Sequence, residues 1–262
     1  MIKDNLKKTV DHYVLTMAKA IVADSQGDNY VGEFGEDLTE HKLNLLKLFG
    51  NDGYIIRNVY IPKDNGETTE IDIIFVTKRA IFVIESKNYS GWIYGDDKST
   101  FWTAVLSKNN KQRFYNPIKQ NEMHIKWLKE YLKTDKLMYL SLIVFSNRCK
   151  LYVQGSADLV RTAVIKRDDL FFEVKKIWPQ LTDVITSGEL FELKSKLEAL
   201  THVSQDTKQL HIETIRSKYS DEATICPWCN GKLVKRIVRK GPNAGKEFTG
   251  CENFPKCRYT KK

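Results

Sequence analysis

Apolar residues recur along this chain in two rhythms. Leu6, Val10, Val14, Met17 and Ile21 stand at helical spacing, which predicts an amphipathic helix over 1–23, followed by a polar loop over 24–30. Helical spacing returns over 35–49, with Leu38, Leu45, Leu46 and Phe49 as its stripe. The rhythm then becomes that of strands. Residues 54–61 read as one strand, 62–68 as a polar turn, and Thr69–Thr77 and Ala80–Ser86 as two further strands dense in Ile, Val and Phe. Lys78 and Arg79 are the only strongly polar break between the last two, so they predict a hairpin. A turn centred there sets Ile74 opposite Val83, Asp72 opposite Glu85 and Glu70 opposite Lys87. The period of two puts Glu70, Asp72, Ile74 and Val76 on one face with Ile81, Val83, Glu85 and Lys87. Ile71, Ile73, Phe75, Phe82 and Ile84 take the other. Both faces are apolar at their centres, as in a central hairpin covered on both sides.

Beyond the hairpin, 92–94 and 101–106 read as short strands and Lys108–Arg113 as a basic loop. Asn116 can cap a helix with Pro117 at its first position, running to about Leu132. Gln120, His124, Trp127 and Tyr131 share a face of it. Residues 138–146 read as a strand beside the hairpin, with shorter strands at 151–153 and 161–166. Helices follow over 168–178 and 188–200, and 201–223 reads as a partly helical linker. No catalytic constellation stands out over 138–223.

The net charge of +9 is unevenly placed: residues 224–262 carry +8 and the rest of the chain +1. A nucleic-acid contact is therefore expected first in the tail. Four of the five cysteines lie there, as Cys226-x2-Cys229 and Cys251-x5-Cys257, separated by 21 residues. That is metal spacing, suited to a closed tetrahedral Zn²⁺ site of four thiolates in a reducing, cytoplasmic setting. A module of that size depends on its metal to fold. Cys149 reads as an unpaired thiol. No apolar run spans a bilayer, and Lys19 interrupts the only candidate for a signal segment.

The facing acids Asp72 and Glu85 are the odd feature of the hairpin. Opposite carboxylates about 5 Å apart repel. A hard divalent cation such as Mg²⁺ relieves the repulsion, and Lys87 on the same side can orient or help deprotonate a bound water. An ordinary charged strand end is the plain alternative. Asp72 followed by Glu85-Ser86-Lys87 resembles the PD-(D/E)xK nuclease signature. Gly32-Glu33-Phe34-Gly35-Glu36, Glu70-Ile71-Asp72, Glu85 through Gly91, Trp102 and Asn116-Pro117-Ile118-Lys119-Gln120 together resemble the nuclease-related domain, NERD. Ile71 stands where the superfamily signature has Pro. The resemblance implies a restriction-endonuclease-like α/β fold, a mixed sheet flanked by helices. It implies a catalytic Mg²⁺ or Mn²⁺ held by Asp72, Glu85 and the Ser86 carbonyl, and active-site roles for Glu36, Lys87 and Gln120. A plain helix-start acid is the alternative for Glu36, and a structural role is the main reading of His124.

The tail resembles the four-cysteine zinc ribbons that end type IA topoisomerases, which implies binding of single-stranded DNA. Its composition agrees. Lys235, Arg236, Arg239, Lys240, Lys246 and Arg258 can hold phosphates, and Trp228, Phe248, Phe254 and Tyr259 can stack bases at roughly 1–3 kcal/mol each. A protein-docking ribbon with those aromatics as its small core is the rival.

The chain thus divides into an N-terminal helix and loop (1–30), a nuclease-like domain with a C-terminal extension (31–200), a linker (201–223) and a zinc ribbon (224–262). The expected function is metal-dependent phosphodiester hydrolysis, with DNA favoured. A non-catalytic nucleic-acid adaptor or partner-recruiting module is the alternative. No membrane association is expected, and the N-terminal helix offers a surface for a protein partner or a second copy.

Overall fold

The computed structural model describes residues 27–48, 50, 52–107, 110–155, 161–219, 226, 233–238, 245–256 and 258–261. The helix expected over 1–23 lies outside them. The protein forms two compact units: residues up to 203 other than 105–113, and residues 105–113 together with 204 onward.

The first unit is a mixed α/β structure. Its main sheet has the order β1 (Gly53–Pro62), β2 (Thr68–Thr77), β3 (Ala80–Lys87), β7 (Met138–Phe145) and β9 (Thr162–Lys166). The first three strands are antiparallel, and β3–β7 and β7–β9 are parallel. A four-stranded sheet runs β6 (Asn110–Tyr115), β5 (Phe101–Ser107), β4 (Gly91–Asp96), β8 (Cys149–Gln154). Residues 110–113, expected in a basic loop, are thus strand. The helices of the first unit are α1 (Gly27–Leu48), α2 (Pro117–Leu132), α3 (Leu170–Ile177) and α4 (Ser187–Glu198); α5 (Gln205–Tyr219) belongs to the second unit. Helix α1 starts well before residue 35, taking in part of the expected loop. Helix α5 occupies most of the stretch read as linker.

The hairpin turn falls at Lys78–Arg79. The Thr77 hydroxyl accepts from the Arg79 and Ala80 N–H groups at 3.1 and 3.0 Å, which fixes the tight reversal. The expected register holds, with Ile74 opposite Val83 and Ile73 opposite Ile84. Both faces are covered. Leu128 and Leu132 of α2 and Leu190, Leu193 and Leu197 of α4 pack with Ile74, Val76, Ile81 and Val83. Leu43 and Leu46 of α1 and Leu170 and Val174 of α3 pack with Ile73, Phe75, Phe82 and Ile84. Each such fully buried side chain contributes about 2 kcal/mol. A third cluster joins Ile93, Trp102 and Phe114 to Ile118, Ile143 and Phe145. It needs Gly95, where an added Cβ would stand 2.2 Å from the Trp102 ring.

Two expectations fail in a related way. Ile71 packs with Ile74 and Val76 rather than with Ile73 and Phe75. The alternation changes phase where Asn58 of β1, at φ 52, adopts the left-handed conformation. The β1–β2 ladder skips the Asn58–Asp72 position at that point. Helix α1 buries Thr39, Leu43 and Leu46; of the expected stripe Leu46 is thus buried, Leu38 and Leu45 are only half-buried, and Phe49 lies outside the described residues. Gly35 and Thr39 carry the stripe toward the helix start, and neither is apolar enough to mark it in sequence.

In the second unit, β10 (Leu233–Ile237), β11 (Glu247–Cys251) and β12 (Thr260–Lys261) form an antiparallel sheet. Its small core gathers Cys226, Cys251, Leu233 and Tyr259.

Candidate active site and nucleic-acid interface

Strands β2 and β3 deliver the acids and the lysine, and α2 delivers the amide. The β2–β3 ladder ends at Ile73–Ile84, so Asp72 and Glu85 are not a ladder pair as expected. Instead Asp72 Oδ2 accepts the Ser86 N–H at 2.8 Å, and the carboxylate replaces the missing backbone bond. Glu85 is buried. Its Oε1 lies 2.6 Å from Lys87 Nζ, and Lys87 Nζ also donates to Gln120 Oε1 at 3.2 Å. The structure thereby brings Asp72, Glu85, Ser86, Lys87 and Gln120 together. Lys87 keeps 20% of its side chain exposed, enough to be met from solvent.

Helix α2 is aimed by its start. Asn116 Oδ1 accepts the Ile118 N–H at 3.0 Å, and its amide donates to the Asp96 and Ser99 carbonyls at 2.9 and 2.7 Å. Asn121 then pins the helix to β3, donating to the Val83 carbonyl at 2.8 Å and to Ser141 Oγ at 2.9 Å. One turn on, His124 Nδ1 is 2.8 Å from Thr69 Oγ1, and its Nε2 is 3.2 Å from Glu85 Oε2. The distance is that of an ion pair, but neither Nε2 nor Oε2 completes a hydrogen bond.

Glu36 sits apart from this group. Arg57 of β1 gathers Glu36, Asp37 and Glu40 of α1, with its Nη2 3.1 Å from Glu36 Oε2. Glu70 instead accepts from Tyr60 Oη at 2.7 Å. Sequence reasoning missed Arg57, Tyr60, Thr69 and Asn121. Of these only Asn121 carried a signal, as a polar residue on the buried side of an otherwise apolar helix face.

Burial and then the neighbouring Glu85 push the Asp72 carboxyl well above its usual range. Burial also opposes charge on Glu85, but Lys87 and His124 outweigh it and hold that carboxyl down. Lys87 is held charged: burial works against it, and Glu85 and then Asp72 more than compensate. Burial raises Glu36 to about 7 despite Arg57.

The donor set suits a hard divalent cation. Asp72 is half-buried and Glu85 buried, each acting on the other, and Glu85 Oε2 lacks a hydrogen-bond donor. Among the described residues no group of three or more His, Cys, Asp or Glu side chains is placed to hold a metal. A Mg²⁺ site of two carboxylates completed by a carbonyl and waters needs no such group.

In the second unit Cys226 and Cys251 are buried, and the Asn253 N–H lies 3.4 Å from Cys251 Sγ. Buried sulfurs with N–H donors fit a thiolate zinc site. Cys229 and Cys257 lie outside the described residues, as do Trp228, Arg239 and Lys240. Six expected nucleic-acid residues, Lys235, Arg236, Phe248, Phe254, Arg258 and Tyr259, line one cavity of about 940 Å³. Lys246 is exposed beside them in sequence. Arg236 is partly committed to structure: it donates to the Cys251 carbonyl at 3.1 Å and lies 5.9 Å over the Phe254 ring. Tyr259 packs on the cysteines, whereas Phe254 is 59% exposed and free to stack. No helix among the described residues is long and apolar enough to cross a membrane.

A family described as nuclease-related domain (NERD) matches residues 31–146, and the topoisomerase DNA-binding C4 zinc finger matches residues 223–262. An uncharacterized protein of Bacillus anthracis is 30% identical over 193 residues, covering 73% of this chain and 86% of that protein. DNA topoisomerase 1 of Mycoplasmoides gallisepticum is 48% identical over 122 residues, covering 40% of this chain but only 16% of the topoisomerase. No solved structure matches the chain.

Proposed function

The chain belongs to the nuclease-related domain (NERD) family, and from that premise we propose that it is a metal-dependent nuclease acting on DNA, with its C-terminal zinc ribbon as a grip on single strands. The observation that carries this reading is Lys87 Nζ, held between Glu85 Oε1 at 2.6 Å and Gln120 Oε1 at 3.2 Å beside Asp72.

Asp72, Glu85 and the Ser86 carbonyl would hold Mg²⁺ or Mn²⁺. When bound, the metal supplies Lewis-acid stabilisation of the phosphodiester and a more acidic water. Lys87 donates to both of its oxygen partners, so it meets the phosphate as a charged donor rather than as a base. It stabilises the charge that builds on the phosphoryl oxygens as the water oxygen bonds to phosphorus and the leaving oxygen departs. Gln120 fixes the Lys87 ammonium and presents its own amide N–H to water or phosphate. Glu36, bound to Arg57 beside this group and raised to about 7, would be a group that can exchange a proton near neutral pH. In the ribbon, Lys235 and Arg258 hold phosphates while Phe254 stacks a base. Zn²⁺ on Cys226, Cys229, Cys251 and Cys257 has a structural role there.

The test is incubation of the purified protein with labelled single- and double-stranded DNA and RNA, with Mg²⁺, Mn²⁺ or EDTA. Metal-dependent shortening of DNA is expected. Binding without cleavage under every metal condition moves the protein to the adaptor reading.

A further inference from the structure

Two arginines beyond the residues that match the nuclease-related domain converge on the candidate site. Arg167 follows β9 and is 4% exposed, and Arg148 lies in the exposed turn between β7 and β8. Arg167 Nε donates to Thr39 Oγ1 at 3.1 Å. Thr39 in turn donates to the Gly35 carbonyl at 2.8 Å and lies 3.4 Å from Ser86 Oγ, the residue between Glu85 and Lys87. Arg148 Nη2 donates to Asn88 Oδ1 at 3.3 Å, and Asn88 follows Lys87. A Cβ added at Gly35 would stand 3.0 Å from Asn88 Cβ and 3.3 Å from Arg167 Nη2, so Asn88 and that guanidinium close on one point.

This corner is charged, and Asp168 offsets only part of the charge on Arg167. Arg167 Nη2 is buried and has no hydrogen-bond partner. Among the described residues neither arginine reaches a carboxylate. The adjacent acid, Asp168, is taken by Lys42 at 2.8 Å. A buried cation without a counter-ion is costly. Two side by side cost more, and Arg148 adds to burial in pushing Arg167 down to about 10. An anion at Arg148 and Asn88 relieves both. Guanidinium is the side chain whose fork of N–H donors best matches phosphate oxygens.

We infer that Arg148 and Asn88, with Arg167 beneath them, form a phosphate-binding site at the end of β3, which seats a phosphate of the nucleic-acid strand. Arg148 makes the direct contact and Arg167 supplies fixed positive charge below. The strand is thereby anchored at Asn88, the residue that follows Lys87. The choice of a nucleic-acid phosphate rests on the proposed nuclease reading, but the site itself does not require turnover.

The test is binding by the full zinc-loaded chain in buffer without added Mg²⁺ or Mn²⁺ and without chelator, so that the ribbon keeps its zinc and no cleavage intervenes, across a salt series. Three labelled single strands of one sequence are compared: 5′-phosphorylated, 5′-hydroxyl and circular. Arg148→Ala is expected to weaken binding roughly tenfold, as for loss of a charge-assisted hydrogen bond. It should flatten the slope of log affinity against log salt by about 0.7, the value for one neutralised phosphate on a single strand. Arg167→Lys, which keeps the charge and loses the fork, should fall between wild type and Arg148→Ala. An effect confined to the 5′-phosphorylated strand assigns the site to a terminal phosphate, and an equal effect on the circle assigns it to an internal phosphodiester. Wild-type affinity and slope for folded Arg148→Ala on all three strands overturns the inference. If Arg167→Lys does not fold, Arg148→Ala and Arg148→Glu decide alone. Absence of cleavage with Mg²⁺ would sink the nuclease reading while leaving these Mg²⁺-free binding measurements to stand or fall separately.

Discussion

The central hairpin and the ribbon handle charge in opposite ways. Residues 1–223 carry a net charge of +1, and charges beside the hairpin are largely shielded and matched: Lys87 against Glu85, Arg57 against three acids. Residues 224–262 carry +8, and Lys235, Lys246 and Arg258 are exposed. Buried, matched charge is rigid and can shift a pKa or steady a transition state, but it draws nothing from a distance. Exposed, unmatched charge attracts a polyanion from solution but cannot hold an atom in place against water. On the proposed reading, chemistry belongs to the first region and capture to the second. The Arg148–Arg167 corner is where the first region departs from its own rule.

The sharpest way to break the comparison is Lys87→Met. If the matched charge serves chemistry, cleavage should fall by roughly 10²–10³-fold, the usual cost of one transition-state donor. Calorimetric binding of Mn²⁺ should persist, since Lys87 is no ligand. Loss of metal binding in a folded variant would make Lys87 a purely structural partner of Glu85.

Next in size is a difference between the two acids. Relief of carboxylate repulsion alone would let either be removed cheaply. The structure says otherwise for Glu85, whose loss strands the Lys87 ammonium. Glu85→Ala should therefore cost about 3 kcal/mol of stability, in the range for breaking a buried pair. Asp72→Asn, which keeps the shape of a carboxyl already driven toward its neutral form, should cost far less. Both should stop cleavage. Equal urea midpoints for the two variants would mean that the Glu85–Lys87 pair carries no stability.

For the ribbon, Cys226→Ser with Cys229→Ser should unfold the module without altering the metal requirement of cleavage. Affinity for a single strand should drop, and its salt dependence should shallow by about 0.7 for each phosphate the ribbon no longer neutralises. An unchanged salt slope would move the ribbon to protein docking.

The smallest effect concerns Glu189, which is exposed and closes a capping box with Thr186 at the start of α4 while 2.6 Å from Lys136. The Lys136 and Thr186 bonds hold its carboxyl down at about 2. A depressed folded pKa gives stability that is full above the unfolded value of about 4.3 and is lost as pH falls toward 2. The difference in melting temperature between wild type and Glu189→Gln should be present at pH 7 and shrink steadily below pH 4. A difference independent of pH would locate the effect in helix propensity instead.

Sequence alone determined a good deal. The hairpin, its turn and its register followed from period-two alternation around two polar residues, because a one-residue slip would turn every Ile, Val and Phe to the wrong side. The capped start of α2 followed from Asn116-Pro117, whose chemistry is local. The ribbon followed from cysteine spacing, and Glu85, Lys87 and Gln120 from motif order. Tertiary structure decided the rest. The phase change at Asn58 was invisible because a single left-handed residue leaves no compositional trace. The burial of α1 on Gly35 and Thr39 was hidden because small residues mark close approach to Asn88, not hydrophobicity. The chain in sequence showed a Glu85–Asp72 repulsion, whereas the fold adds Lys87 and His124 and turns Glu85 into a matched charge. Arg148 and Arg167 carry no motif or spacing that marks them in the sequence. Only the parallel pairing of β3, β7 and β9 brings their strand ends beside Lys87, since electrostatic partners are set by distance in space and sequence reports only distance along the chain.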